Sequence, residues 1–201
     1  MEDSHMDKAN ELLDALLPVI NEYFALADGW ESLGTSEGVT GSRILHPNGL
    51  QIVKVTSLLP KSVPEVLAYY WDLSKKPKYE HKLKECRCVK DFSENFRLVY
   101  SQFALHWPIS NRDFVVAQRW NEKDDGIVIY SKSLDGVLPE TYGVVRGEVF
   151  FEAQYLKRNA SSTEITTLYC TDLKGSLPRV AINKIANRQI GKLGVIKKDL
   201  K

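Results

Sequence analysis

Cysteine is scarce in this sequence: Cys86, Cys88 and Cys170 are the only three in 201 residues. An odd, low count excludes a disulfide-stapled secreted scaffold and fits a reducing compartment. Long hydrophobic runs are lacking too. The longest early one, Ala15 to Ile20, falls far short of the ~20 apolar residues that span a bilayer. The start, MEDSHMDKANELL, has no basic segment leading into an apolar one, so no secretory signal is read there. Together these gaps lead us to expect a cytoplasmic protein. An excess of one charge sign is also missing, with a formal net charge of +1. There is therefore no global field to gather nucleic acid, and no nucleic-acid partner is expected.

Signatures of catalysis are absent as well. The chain has no GxSxG elbow, P-loop, GxGxxG or HExxH. The histidines His5, His46, His81 and His106 lie in four separate segments without metal-ligand spacing. Cys86-Arg87-Cys88 sets two thiols on one face of a strand but offers no further ligands, and two packed small side chains are the simpler reading. We expect no metal, no cofactor and no catalytic residue. A Ser/His/Asp triad needs no sequence adjacency, so a cyclase or hydrolase stays open as the alternative.

What the chain does have is an ordinary globular balance, 43% hydrophobic and 26% charged, which suits one domain over 1–201. Leu13, Leu16, Leu17, Ile20 and Phe24 predict an amphipathic helix over 7–27, with a kink or break at Pro18. Short strands follow at Trp30–Ser36, Val39–His46 and Leu50–Ser57, the last two joined by the turn signal His46-Pro47-Asn48-Gly49. Ser62–Leu73 reads as a helix, with Ser62 as cap, Pro64 in the first turn and Glu65 three residues on. Six further strands are predicted at 80–90, 95–106, 112–121, 126–134, 141–156 and 163–174. No strand–helix alternation appears, so the sheet should be antiparallel. A terminal helix, capped at Ser176, carries one apolar stripe: Leu177, Ile182, Ile185, Ala186, Ile190, Leu193 and Ile196. It would cover the sheet face that an antiparallel sheet leaves open.

The stretch WPISNRDFV, residues 107–115, combines a charged pair with an apolar strand. Alternation places Arg112, Phe114, Val116, Gln118 and Trp120 on one face, and Asn111, Asp113, Val115, Ala117 and Arg119 on the other. Neither face is solvent-like. A mostly apolar face with sparse polar members fits a pocket wall. A core strand with an Arg-Asp pair at its entrance is the plainer reading.

Three segments, in order and spacing, change that balance. WPISNRDFV, VVRGEVFFEAQYL at 144–156 and DLKGSLPRVAINKIANRQI at 172–190 resemble the START family of lipid-transfer domains, and the likeness covers nearly the whole chain. Ser110-Asn111-Arg112-Asp113 is nearest in look to its phosphatidylcholine-transfer type. The resemblance implies an α+β helix-grip fold, a curved antiparallel sheet wrapped around the long C-terminal helix, with an internal hydrophobic tunnel for one lipid. It implies a soluble monomer that binds and transfers a phospholipid, fatty acid or sterol and touches membranes only transiently. Arg112 and Asp113 would be a structural or gating pair. Tunnel-lining candidates are Arg112, Phe114, Val116, Gln118, Val99, Phe103, Tyr142, Ile182, Ile185 and Ala186. Lys76 and Glu80 match the positions of a headgroup-binding basic–acidic pair. The acid and arginine of sterol-binding members fall at Val99 and Gln118, and Ser101 stands where the choline-binding type has an aromatic. The loop 136–145, GVLPETYGVV, resembles the family's mobile gate. Residues 177–201 hold seven basic residues against one acid, and Lys184, Arg188 and Lys192 at four-residue spacing are the candidates for docking to an anionic membrane.

Overall fold

The computed structural model describes the backbone of residues 2–105, 109–175 and 179–201, and the side chains of 4–105, 109–175 and 187–201. His106 and the predicted Ser176 cap lie outside the described residues, as do the side chains of Leu177, Ile182, Lys184, Ile185 and Ala186.

The amphipathic helix α1 (Glu2–Ala25) is one element running through Pro18, not two shorter helices. Ala9, Leu13, Leu16 and Ile20 are all buried, so the apolar stripe is pinned on both sides of the proline. A meander follows: β1 (Glu31–Ser36), β2 (Val39–Leu45) and β3 (Gln51–Leu59). The turn into β3 needs the φ of +85° at Gly49, whose N–H donates to the His46 carbonyl at 2.8 Å. Helix α2 (Val63–Trp71) starts as its sequence indicates. The Glu65 carboxylate accepts from the Ser62 N–H at 2.9 Å and from the Ser62 hydroxyl at 2.6 Å. A single 3-10 turn, Leu73–Lys75, leads into the short α3 (Lys76–Tyr79).

Seven strands then run β4 (Leu83–Ser93), β5 (Phe96–Phe103), β6 (Asn111–Lys123), β7 (Gly126–Ser133), β8 (Val144–Arg146), β9 (Glu148–Asn159) and β10 (Ser162–Asp172), before α4 (Arg179–Asp199). The described strands make one ten-stranded sheet in the order β1-β2-β3-β10-β9-β7-β6-β5-β4, with β8 beside β6. The strand expected over 141–156 is broken at Gly147, and its first part pairs parallel with β6, against the all-antiparallel expectation. The break has a cause. Gly147 donates its N–H to the Asp113 carbonyl at 2.9 Å, and a Cβ there would come within 2.4 Å of the Phe114 ring. The glycine of the VRGE motif is thus the space that the RDF phenylalanine fills.

Period-two alternation divides the apolar residues between two cores. On the outer face, Leu98, Ala117, Val128, Tyr130, Ala153 and Leu168 pack with Leu13 and Ile20 of α1. On the inner face, Val53, Val55, Ile129, Leu156 and Tyr169 pack with Val66 and Tyr70 of α2 and with Leu193 and Ile196 of α4. Helix α4 lies against β1, β2, β3 and α3, and α2 lies against β7, β9 and β10.

Candidate functional site

The inner faces of β5 and β6 form a matched ladder. Arg97 opposes Gln118, Val99 opposes Val116, Ser101 opposes Phe114, and Phe103 opposes Arg112. Val99, Ser101 and Phe114 are buried, while Phe103, Val116 and Gln118 are only half-buried although they lie in the body of the sheet. Apolar side chains that stay partly open there, Phe103 and Val116, suit the wall of a ligand groove between sheet and helices.

Polar groups gather toward the α2–α3 end of this wall. The Lys192 ammonium comes inward from α4 and meets Glu80 at 2.5 Å and Glu152 at 3.9 Å. It also lies 4.7 Å from the Tyr169 ring centre and 5.7 Å from that of Tyr79. Burial works to push its pKa down, but Glu80, Tyr169 and Glu152 outweigh that and hold it well above its ordinary value. The buried Gln154 donates to Glu152 at 3.0 Å. Burial likewise pushes the Tyr70, Tyr79 and Tyr169 phenols up. Lys76, on α3, donates to the Ser101 hydroxyl at 3.1 Å, which in turn lies 3.5 Å from Cys86 Sγ.

A second polar cluster lies beside the first. Arg97 is 5% exposed. Its Nε donates to Gln118 Oε1 at 3.0 Å, its Nη1 to the Trp71 carbonyl at 2.8 Å, and its plane lies 3.8 Å from the Trp71 ring centre. Burial lowers its guanidinium pKa from the ordinary value.

Several sequence-predicted residues sit elsewhere than expected. Arg112 and Asp113 are not a pair, because alternation sends them to opposite faces. Arg112 donates to the carbonyls of Ser110 at 2.5 Å, Leu173 at 2.7 Å and Lys174 at 3.0 Å, pinning the segment that leads into α4. Asp113, 1% exposed, instead accepts a two-pronged bond from Arg146 at 2.8 and 3.0 Å. Arg146 also reaches the carbonyls of Leu138 and Pro139, so it holds the loop expected to be the gate. Tyr142 is fully exposed and lines no wall, since it lies in the turn before β8 rather than on a strand. Lys192 was expected on the membrane-docking stripe but is buried. It falls four residues before Ile196 and so shares the apolar stripe, where Glu80 compensates its charge. Arg188 is exposed, as a docking residue must be. Lys197 and Lys198 are engaged with Ser57 and Glu37, which thins the basic surface counted from sequence. Glu80 and Lys76 do face the groove, but Glu80 bonds Lys192 rather than Lys76.

Arg97, Glu152 and Gln154 escaped the sequence reading. Arg97 had a signal: one charge inside the apolar run Phe96–Tyr100, the same contrast that drew attention to Arg112. Glu152 and Gln154 had only their alternation within β9.

A curved, mainly antiparallel sheet packed against a long C-terminal helix, with half-open apolar side chains and a few buried polar groups on its inner face, defines the helix-grip fold. Residues 18–197 match the family model described as START domain, and the chain belongs to that family. The phosphatidylcholine transfer protein of Bos taurus is 25% identical over 169 residues, 80% of this chain and 78% of that protein. Human StAR-related lipid transfer protein 5 superimposes with a TM-score of 0.84 at 17% identity, covering 100% of this chain and 98% of that one. Human STARD10 does so at 0.79 and 19% identity, over 90% and 76%. At these identities the solved structures establish the fold alone.

Proposed function

We propose that this chain binds one lipid in the groove between sheet and helices and exchanges it at membrane surfaces, making and breaking no bond. The observation behind it is the β5–β6 wall: Phe103 and Val116 leave apolar surface partly open, Arg97 and Gln118 make one end polar, and Arg112 at the other end is taken up by backbone carbonyls. That distribution matches a molecule with apolar chains and one polar head. The START family membership and the names of relatives, a phosphatidylcholine transfer protein among them, support it.

The energetics suit exchange. Each buried CH₂ contributes ~0.8 kcal/mol, but a bilayer offers nearly the same, so the apolar chains give little net preference. Selection falls to the polar end, where a group left unpaired in a buried site is costly. Acid–base catalysis has little support among the described residues. A general acid or base works best with a pKa near the operating pH. Here burial pushes the three inner tyrosines upward, and Lys192 is held charged.

The remaining parts of the reading are a cytoplasmic monomer that touches membranes transiently, using Lys184 and Arg188 of α4. No helix among the described residues is long and apolar enough to cross a membrane. Native mass spectrometry of gently purified protein, followed by solvent extraction, tests the central proposal. A stoichiometric lipid, recovered unchanged after incubation, is the expected result. Conversion of that lipid to a product would make the protein an enzyme instead.

A further inference from the structure

The inner face holds three buried cations, Arg97, Arg112 and Lys192, and they are not equally answered. Arg112 gives its guanidinium to three backbone carbonyls. Lys192 faces Glu80 and Glu152. Arg97 alone keeps a donor in hand: its Nη2 is buried and has no hydrogen-bond partner among the described residues. No carboxylate is bonded to Arg97 either. Asp72 and Asp91 are near enough to feel its charge, but Asp72 accepts from the Ser74 N–H, and Asp91 is engaged with Cys88. Arginine cannot shed its proton in a protein, so this charge stays.

Its neighbours add to the demand. Gln118, half-buried, accepts from Arg97 through Oε1, which turns its amide N–H₂ toward the open side of the pair as a second donor. The buried Tyr70 hydroxyl has no hydrogen-bond partner among the described residues. Lys192 in the same groove is already answered by Glu80 and Glu152, and Lys76 by the Ser101 hydroxyl, so neither cation competes for an added anion's partner groups. A buried cation with a spare donor and no bonded carboxylate, backed by an amide, is built to receive an anion.

We propose that the groove selects lipids with an anionic headgroup, carboxylate or phosphate, and that Arg97 with Gln118 receives the anion. The proposal deepens the lipid-carrier reading and rests on it. The apolar chains lie along Val99, Val116 and Phe103, and the anion sits against the free edge of the guanidinium. Arg97 also caps α2 through the Trp71 carbonyl, so its two roles must be separated in the test.

The test compares binding of the delipidated full chain to four lipids with the same oleoyl chains: phosphatidic acid, oleic acid, phosphatidylcholine and diacylglycerol. At least one anionic lipid is expected to bind about tenfold or more tighter than both phosphatidylcholine and diacylglycerol. Which of phosphatidic acid and oleic acid leads distinguishes phosphate from carboxylate as the natural group. In Arg97→Gln the preference should disappear while diacylglycerol affinity stays as in the parent, a result that loss of an α2 cap alone would not give. Gln118→Leu, which leaves that cap intact, should narrow the preference severalfold and keeps the proposal testable if Arg97→Gln does not fold. Phosphatidylcholine or diacylglycerol binding as tightly as the better-bound anionic lipid would overturn the proposal, as would survival of the preference in a folded Arg97→Gln or an unchanged preference in Gln118→Leu. Failure of all four lipids to bind would instead overturn the carrier reading beneath it.

Discussion

Lys192 shows what a single side chain decides here. A lysine on the apolar stripe of a terminal helix would ordinarily be excluded from the interior, yet Glu80 at 2.5 Å and Glu152 at 3.9 Å make its burial tolerable. Replacing it leaves two carboxylates facing each other across the groove. Lys192→Met is therefore expected to destabilise the fold by about 2–4 kcal/mol in urea denaturation, at the lower end because both acids are partly hydrated. The double variant Lys192→Met/Glu80→Gln should regain much of the loss. An equal loss in the double variant would show that packing of the lysine stem, not charge, is what matters. Sequence spacing set this residue on an exposed basic stripe and gave no sign of its partner, because Glu80 comes from a different element over a hundred residues earlier. Arg112 and Asp113 teach the same lesson. Their adjacency in sequence invites pairing, and strand alternation forbids it.

Elements were more legible than contacts. The helices over α1, α2 and α4, the His46–Gly49 turn and the strand succession all follow from spacing and turn residues, since those are local properties. The split at Gly147 was not legible, because it depends on the Phe114 ring packing where a side chain would stand. The end of α4 is likewise fixed by distant partners. Asp199 pairs with Lys78 of α3 at 2.8 Å, and Lys198 with Glu37 at 2.8 Å. Hydrogen bonding to those lysines holds both carboxyls below their ordinary pKa. Groups depressed in the folded state stabilise it above their unfolded pKa and lose that contribution as pH falls through the folded value. Between pH ~5 and pH ~2, amide protection in the last turn of α4 should therefore fall before protection in the central strands does. Hydrogen exchange followed by mass spectrometry checks this. Loss of protection across α4 and the sheet together would contradict it. High salt at neutral pH should mimic part of the effect, since both pairs are exposed.

At the scale of the whole molecule the sheet is a partition. Helix α1 is packed on one side of it, while α2, α4 and the ligand groove occupy the other. Arg119 of β6 reaches outward to Asp14 at 2.7 Å, and Gln118, one residue earlier, reaches inward to Arg97 at 3.0 Å. Stability and ligand choice should then be separable by position. Leu13→Ala, on the α1 side, is expected to cost about 3 kcal/mol of stability and to leave lipid affinity unchanged below its melting temperature, as calorimetry and a binding titration would record. A matching loss of affinity would show that the two sides communicate through the sheet. The consequence reaches into how this sequence can drift over generations. Along β6, neighbouring codons answer to different judges. Positions 113, 115, 117 and 119 are filtered by whether the protein survives, as is Phe114 through its packing on Gly147, and under the lipid-carrier proposal positions 116 and 118 answer to the cargo. A lineage could change its cargo by rewriting every second residue of two strands, with its structural ancestry still written in the residues between.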